Sequence, residues 1–541
     1  MRYLLVLLLL ISLGYAKTNE SCYTVQLESF VVKKNSTFDF ENRGYPKSCQ
    51  YFAFKKVSTI RCGCYEKFRD AKVASKTLSK LFPGNMIVTT NKHRSLSKKS
   101  EHIEDIKTPQ DSEETTLTDE ITSIEQSKEN KPYNFQDDVT VQGNLDLTAQ
   151  YFSIRPEDKH SFNFTGAVNL EVEYNKEDLK LKTKLHVQND LYDYKKSSQQ
   201  NSRSFARIDE LYAKYDFEDE QIIFGKNIRF WGALEVRNIT DNFNGDELRA
   251  DPFETDKLGS WNATYTYFTD NGEFSVIAKF YEQSREMSSY PYVYYYFPQN
   301  ITTSQGAQLP LEYNNNLNTQ ASEFRPSLYL KYAASTDTEY ALDYAVIFEN
   351  GYDSQRYYTT TLSADTTSMQ TNENAYLVNK LITYNTLVVE STLIKLEAVY
   401  TDVINDKEIS DYLHIGLGVE HSLTQVYEGA DLGLIAEYYN YTTFESDKRS
   451  DLELFELFQN DLFLGLRYTL NQGNDASVVA GTIIDLSYDE EVYYLEYETR
   501  FLDTVKVNFD YRYINPSSKE KTAFNLMGKH ERISLKIGYY F

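Results

Sequence analysis

The last residues of the chain alternate strictly. Ile533, Leu535, Ile537, Tyr539 and Phe541 fall on one side, and Ser534, Lys536, Gly538 and Tyr540 on the other. The same period-two pattern runs from about residue 138 to the end, in stretches such as GAVNLEVEY, LKLKTKLHV, SWNATYTYF, PSLYLKYAA and DLFLGLRYTL. In DYLHIGLGV, Leu413, Ile415, Leu417 and Val419 make an apolar face, and His414, Gly416 and Gly418 make the other. Such alternation predicts strands with one apolar and one polar face. The runs approach the about 9–11 residues that a tilted membrane strand needs. Their ends are rich in tyrosine, as in AEYYNY and YYLEYE, which fits the aromatic girdles of a membrane barrel.

The links between runs separate a barrel from a sandwich. Short links fall at 175–178, 218–220, 269–272, 335–337 and 471–475. Long ones fall between them, at about 188–204, 228–258, 283–324, 349–374 and 441–459. A transmembrane barrel has tight periplasmic turns at one end and long outer loops at the other, whereas a sandwich has no reason to alternate. With both termini on the periplasmic side the strand number is even. TAFNLMGKH lacks clean alternation and reads as part of the last outer loop. The predicted fold is therefore an all-β, antiparallel transmembrane barrel over 138–541, with about eighteen strands and sixteen as the alternative.

Composition narrows the setting. The net charge of −24 argues against nucleic acid as a partner, because that needs a basic face. Mean hydropathy is −0.55, which excludes a bundle of membrane helices, each needing roughly 20 apolar residues. MRYLLVLLLLISLGYA has one positive charge, an apolar block and small residues at its end. It reads as a signal peptide over 1–16, cleaved after Ala16. An exported chain lets its cysteines oxidise. Cys22, Cys49, Cys62 and Cys64 are disulfide candidates, with three possible pairings. Cys62-Gly63-Cys64 is not a CxxC, and no metal or cofactor is expected.

The cysteines lie in a segment, 20–90, that carries two similar halves. CYTVQLESF and STIRCGCYEKF are each β-like runs ending near an aromatic. The second continues into a helical pattern through Ala71, Ala74, Leu78 and Leu81, then a strand at Met86-Ile87-Val88. This predicts a small α+β domain with one antiparallel sheet. It resembles the SPOR domain, a periplasmic module that binds peptidoglycan glycan strands. The match is Val25-Gln26-Leu27-Glu28-Ser29-Phe30 to that family's Val-Gln-Leu-Gly-Ser-Phe strand. A second match runs from Ile60 to Tyr65, followed by the helix with Ala71. Glu28 stands where the family has Gly, and Cys64 where it has Pro. The resemblance implies glycan contact through Gln26, Ser29 and Phe30. Residues 91–136 are charged and Ser/Thr-rich with few aromatics, and are expected to form a disordered linker.

Within the barrel, 224–261 contains Gly225, Trp231, Gly232, Asp241, Asn244 and Pro252. These resemble a segment of large proteobacterial porins and exporters, including the alginate-export type. A loop folding inward here would form a pore constriction, with Arg229, Arg237 and Arg249 set against Asp241, Asp246 and Glu247. Lys180, Lys182 and Lys184 oppose Glu171 and Glu173 on the predicted neighbouring strand, which keeps a wet lumen satisfied. The strand ending in Tyr539 and Phe541 resembles the C-terminal assembly signal of outer-membrane barrels, which the barrel-assembly machinery reads. His186 and His414 sit alone on strands without an evident partner, so an enzyme is not expected. The expected protein lies in the outer membrane of a Gram-negative bacterium, surrounded by lipid, with its N-terminal domain in the periplasm. Its expected function is a porin-like channel for polar solutes anchored to peptidoglycan. The alternative is a non-conducting tether between membrane and wall.

Overall fold

The computed structural model describes 138–541, apart from short stretches within the links. Before that it describes 21–31, 49–53, 57–65, 71, 74 and 86–91. The signal peptide and the linker expected at 91–136 lie outside the described residues. The chain divides into two units, Met1–Tyr133 and Asn134–Phe541.

The second unit is a closed barrel of eighteen strands. Each pairs antiparallel with its neighbour, and the last, His530–Tyr540, pairs with the first, Val139–Ile154, with Ile537 opposite Leu147. Phe541 and Gly143 add a reciprocal pair of backbone hydrogen bonds at 3.0 Å, so the seam is sealed to the final residue. The alternation sets which way each side chain faces. Leu535 is 42 % exposed on the outside with Ile533, Ile537 and Tyr539, while Arg532 and Ser534 are buried inside. Leu417 and Val419, Leu464 and Leu466, and Tyr493, Leu495 and Tyr497 repeat this on other strands. A closed sheet pairs its backbone groups strand to strand and leaves no edge, which is what an apolar solvent demands. No helix among the described residues is long and apolar enough to cross a membrane.

Link lengths alternate as expected except at 470–476 and 486–490, where the turn-side link is the longer. Tight turns join Phe162–Lys176 to Leu179–Asp190, Leu377–Val389 to Thr392–Val403, and Tyr412–Tyr427 to Ala430–Thr443. Long links occupy 191–204, 228–259, 280–326 and 353–376, all at the opposite end. The segment read as the last outer loop holds a short helix, Ala523–Met527, whose Thr522 hydroxyl caps the Asn525 amide. Three loops carry structure that period-two reading did not resolve: Gly245–Leu248, Asp256–Leu258 and Glu286–Met287 form a three-stranded sheet. Asn300–Thr302, Gln308–Thr319, Met369–Ala375 and Tyr357–Leu362 form a separate four-stranded sheet, with Gln308–Thr319 and Met369–Ala375 parallel.

The first unit contains a four-stranded antiparallel sheet in the order Cys49–Ala53, Val57–Tyr65, Ser21–Val31, Met86–Asn91. Ala71 and Ala74 are helical, and Ala71 is buried. Cys49 and Cys62 lie opposite each other on adjacent strands and form a disulfide, one of the pairings open to the sequence. The side chains of Cys22, Cys64, Gln26, Ser29 and Phe30 lie outside the described residues.

Candidate functional site: the lumen and the loop that crosses it

The loop 228–259 enters the barrel and crosses it. It leaves from Glu220–Asn227 and returns at Ser260–Phe268, adjacent strands of the ring. Counted from Ser260–Phe268, Thr392–Val403 is the sixth strand, Ala430–Thr443 the eighth and Asn460–Thr469 the ninth of eighteen. The loop reaches all three. Glu397 Oε1 accepts the amides of Ala233 and Leu234 at 2.5 and 2.9 Å. Its Oε2 accepts the amide and hydroxyl of Thr240 at 3.0 and 2.9 Å. Glu437 accepts the amides of Glu235 and Val236 at 2.7 and 3.1 Å, and Tyr439 Oη accepts that of Arg237 at 3.2 Å. Glu235 then pairs with Arg467 on the ninth strand, diametrically opposite the loop's root.

Glycine makes room for this crossing. A Cβ at Gly416 would lie 2.4 Å from Leu234 Cδ1, and one at Gly418 2.8 Å from Leu234 Cδ2. The two lumen-facing glycines of the strand Tyr412–Tyr427 are therefore a notch into which Leu234 packs.

The crossing divides the bore. On one side Trp231 and Phe243 of the loop pack with Ile277, Tyr329, Ile347, Ile382 and Val399 of the wall into a dry cluster. On the other side a cavity of about 440 Å³ remains. Glu235, Glu496, Glu498, Lys506, Arg512 and Lys536 line it, with Asn508 and two tyrosines. Lys506 meets Glu498 at 2.7 Å, and Lys536 meets Asp146 at 3.2 Å. Both signs of charge thus face the open space. Toward the next wall Lys180 pairs with Glu173 at 2.6 Å, and Lys182 with Glu171 and Glu210 at 3.0 and 3.1 Å.

The residues expected at the constriction sit at the root and middle of the loop. Arg229 donates to Asn262 and Thr264 on the wall, and burial lowers its guanidinium to about 10. Arg237 is held through its amide to Tyr439. Asp241 accepts the Trp231 amide at 3.3 Å, and burial raises its carboxyl despite Lys257 nearby. Asp246 pairs with Lys257 at 2.7 Å. Burial works against its charge, but Lys257 and Arg237 outweigh that and hold it near 2. Arg249 is buried over the Phe205 ring at 3.7 Å and bonded to Glu247, which also takes Arg207. Arg229, Arg237, Asp241, Asp246 and Arg249 are not among the residues lining the cavity; Glu235 is the acidic loop residue that does so. Sequence reasoning missed Glu235, Glu397 and Glu437. The paired glycines 416 and 418 were the available signal.

His186 does have an acidic neighbour, contrary to expectation: Asp209 lies at 3.8 Å, on a strand whose register is offset by a bulge at Lys184/Leu185. His414 contacts the Phe458 carbonyl at 3.0 Å. Among the described residues no group of three or more His, Cys, Asp or Glu is placed to hold a metal ion. At the outer mouth the tyrosine segment 290–295 packs inward. Tyr292 lies under Arg203 at 3.9 Å and against Tyr192 at 5.4 Å, while Lys159 donates to the carbonyls of Tyr292 and Tyr295.

No family model matches the chain, and no curated relative does. Among solved structures it is similar to OccAB4 of Acinetobacter baumannii, with 10% identity over 75% of this chain and 98% of that one, and a TM-score of 0.44. It is also similar to OccK11 (OpdR) of Pseudomonas aeruginosa, at 9% identity over 75% and 96% of the two chains, TM-score 0.43. A BenF-like porin from Pseudomonas fluorescens Pf-5 gives 8% identity, 75% and 100% coverage and a TM-score of 0.44.

Proposed function

We propose that this protein is a porin-like channel of a Gram-negative outer membrane, passing polar solutes along the crescent that the loop leaves open. The observation that carries the reading is the cavity of about 440 Å³ with acidic and basic side chains on its wall, inside a barrel whose exterior is apolar. Transport is passive: width and lining charge select. Lumen charges of both signs favour polar solutes without strong preference for either ion. Planar-bilayer recording of the purified chain tests this, with ohmic unitary steps as the expected result. The buried packing of Trp231 and Phe243 against the wall, with a second buried apolar cluster of Leu234, Ile239 and Tyr292 beside the cavity, favours the second reading, a non-conducting tether. A silent barrel in the same recording selects it.

The N-terminal unit is proposed to hold peptidoglycan as a SPOR-like domain. Its sheet order and the helical Ala71 and Ala74 ahead of the last strand support the reading. Gln26, Ser29 and Phe30 are the proposed glycan contacts. Co-sedimentation of the detergent-purified chain with peptidoglycan sacculi tests it. Retention in the supernatant would remove the anchoring role and leave the channel untouched. Tyr539 and Phe541 are the proposed contacts for the barrel-assembly machinery.

A further inference from the structure

The backbone of a loop inside a barrel has a supply problem. The wall spends its own amides and carbonyls on the strand ladder, so a segment crossing the lumen finds only side chains to bond on the wall. Between residues 233 and 240, five amide N–H groups and one hydroxyl go to two wall carboxylates. Glu397 and Glu437 are 0% and 1% exposed. Both oxygens of each are used, and every donor to them is neutral; at Glu437 the remaining donor is Tyr439 Oη at 2.7 Å. The nearby cations are committed elsewhere, Lys395 to Glu420 at 2.9 Å and Arg467 to Glu235 and Glu420.

We propose that Glu397 and Glu437 are positioning residues that set the width of the passage, fixing residues 233–240 across the bore as a partition that can be released. This rests on the channel reading above. A carboxylate only accepts, with about four lone-pair sites, and so suits a ring of donors. A carboxamide cannot replace it: in either orientation its NH2 meets N–H or O–H groups already pointing inward. The hydrogen bonds on that side are lost, and two donors are left facing each other. Leu234 in the Gly416/Gly418 notch orients the segment, but an apolar contact does not hold five amides.

The test uses the full chain, detergent-purified, as wild type, Glu397→Gln, Glu437→Gln and the double variant. Thr240→Val is added because it weakens the latch from the loop side and leaves the wall native. Heat-modifiable gel migration establishes folding. In planar bilayers the folded Gln variants are expected to show unitary conductance raised roughly twofold, as the loop stops dividing the bore, and to admit larger polyethylene glycols. Thr240→Val is expected to show brief excursions to that higher level. Amide hydrogen exchange supplies a readout independent of conduction: residues 233–240 are protected in the wild type and exchange at least tenfold faster in the Gln variants. Folded Gln variants with wild-type conductance, exclusion limit and exchange overturn the proposal. If they do not fold, a Thr240→Val protein with wild-type conductance and exchange overturns it. A wild type without any steps sinks the channel reading, and the exchange of 233–240 then decides the latch on its own.

Discussion

Replacing Leu535 by lysine tests the physical premise of the fold. Leu535 is the middle residue of the last strand, His530–Tyr540, and points outward between Ala149 and Phe509 of the flanking strands. If lipid covers it, the substitution places an ammonium near the bilayer midplane. On the outside of a barrel that costs about 2–4 kcal/mol, less any relief from the chain reaching toward the headgroups. Asn169 is the matched control. It sits at the middle of Phe162–Lys176, but on the lumen side, opposite Asn144 and His186. Asn169→Lys puts the same charge at similar depth into a wet interior and is expected to change stability by no more than about 0.5 kcal/mol. Reversible urea unfolding from phospholipid vesicles measures both. A Leu535→Lys penalty below about 1 kcal/mol would refute the lipid-facing assignment. So would an equal penalty at Asn169, which would leave no difference between inside and outside.

Three further outcomes follow from named contacts. The chain has two tryptophans: Trp261 is 42 % exposed on the barrel exterior, and Trp231 is 3 % exposed in the dry cluster under the loop. Brominated lipid should quench Trp231→Phe protein strongly and Trp261→Phe protein hardly at all; the reverse order would place the loop outside the bore. Gly416→Val sets a side chain where Leu234 packs, so residues 233–240 should lose amide protection while the barrel keeps its heat-modifiable migration. Burial lowers the Lys159 ammonium to about 8, against 10.5 for the free group. A base with a depressed folded value penalises the fold below that value, and the penalty fades as pH rises from about 8 toward 10.5. Residues 290–295, whose carbonyls it meets, should therefore show slower intrinsic-rate-corrected exchange at about pH 9 than at about pH 7, a difference that Lys159→Met abolishes.

The wall of the barrel was legible because its signal is local. A strand between lipid and lumen must alternate, and each run reports its own two faces: the outward set of the last strand, Ile533 to Tyr539, follows from nine letters. Link lengths added the strand count, since the turn-rich end and the loop-rich end differ round the ring except at 470–476 and 486–490. The short helix at 523–527 could be excluded from the count by its broken alternation. The loop was harder. Arg229, Arg237, Asp241, Asp246 and Arg249 drew attention by their charge, but charge alone does not say whether a group faces the passage or is neutralised at the loop's root. Asp246 with Lys257 and Arg249 with Glu247 are local pairs, whereas Glu235 reaches the cavity because its neighbours are tied to strands more than 150 positions away in sequence. Period-two reading also passed over the loop sheet at Gln308–Thr319 and Met369–Ala375, whose parallel pairing joins two different loops.

Cross-strand context could have exposed the latch. Lumen carboxylates of the ordinary kind face cations on the next strand: Glu171 is opposite Lys184, and Glu173 opposite Lys182. Such pairs keep a wet wall neutral and have no capacity to spare. Glu397 instead lies between Tyr384 and Gly416, and Glu437 between Gly418 and Phe463. A carboxylate with no cation directly opposite it, flanked by glycine and an aromatic ring, would be an unpaired charge in a tightening space. That arrangement is stable only if donors arrive from elsewhere in the chain. Glycine supplies the room for them to approach and the ring excludes water around them, so the trio of acid, glycine and aromatic across adjacent strands marks where a loop's backbone docks. In an eighteen-strand wall whose register can be inferred from its turns, that signature is readable before any coordinates exist.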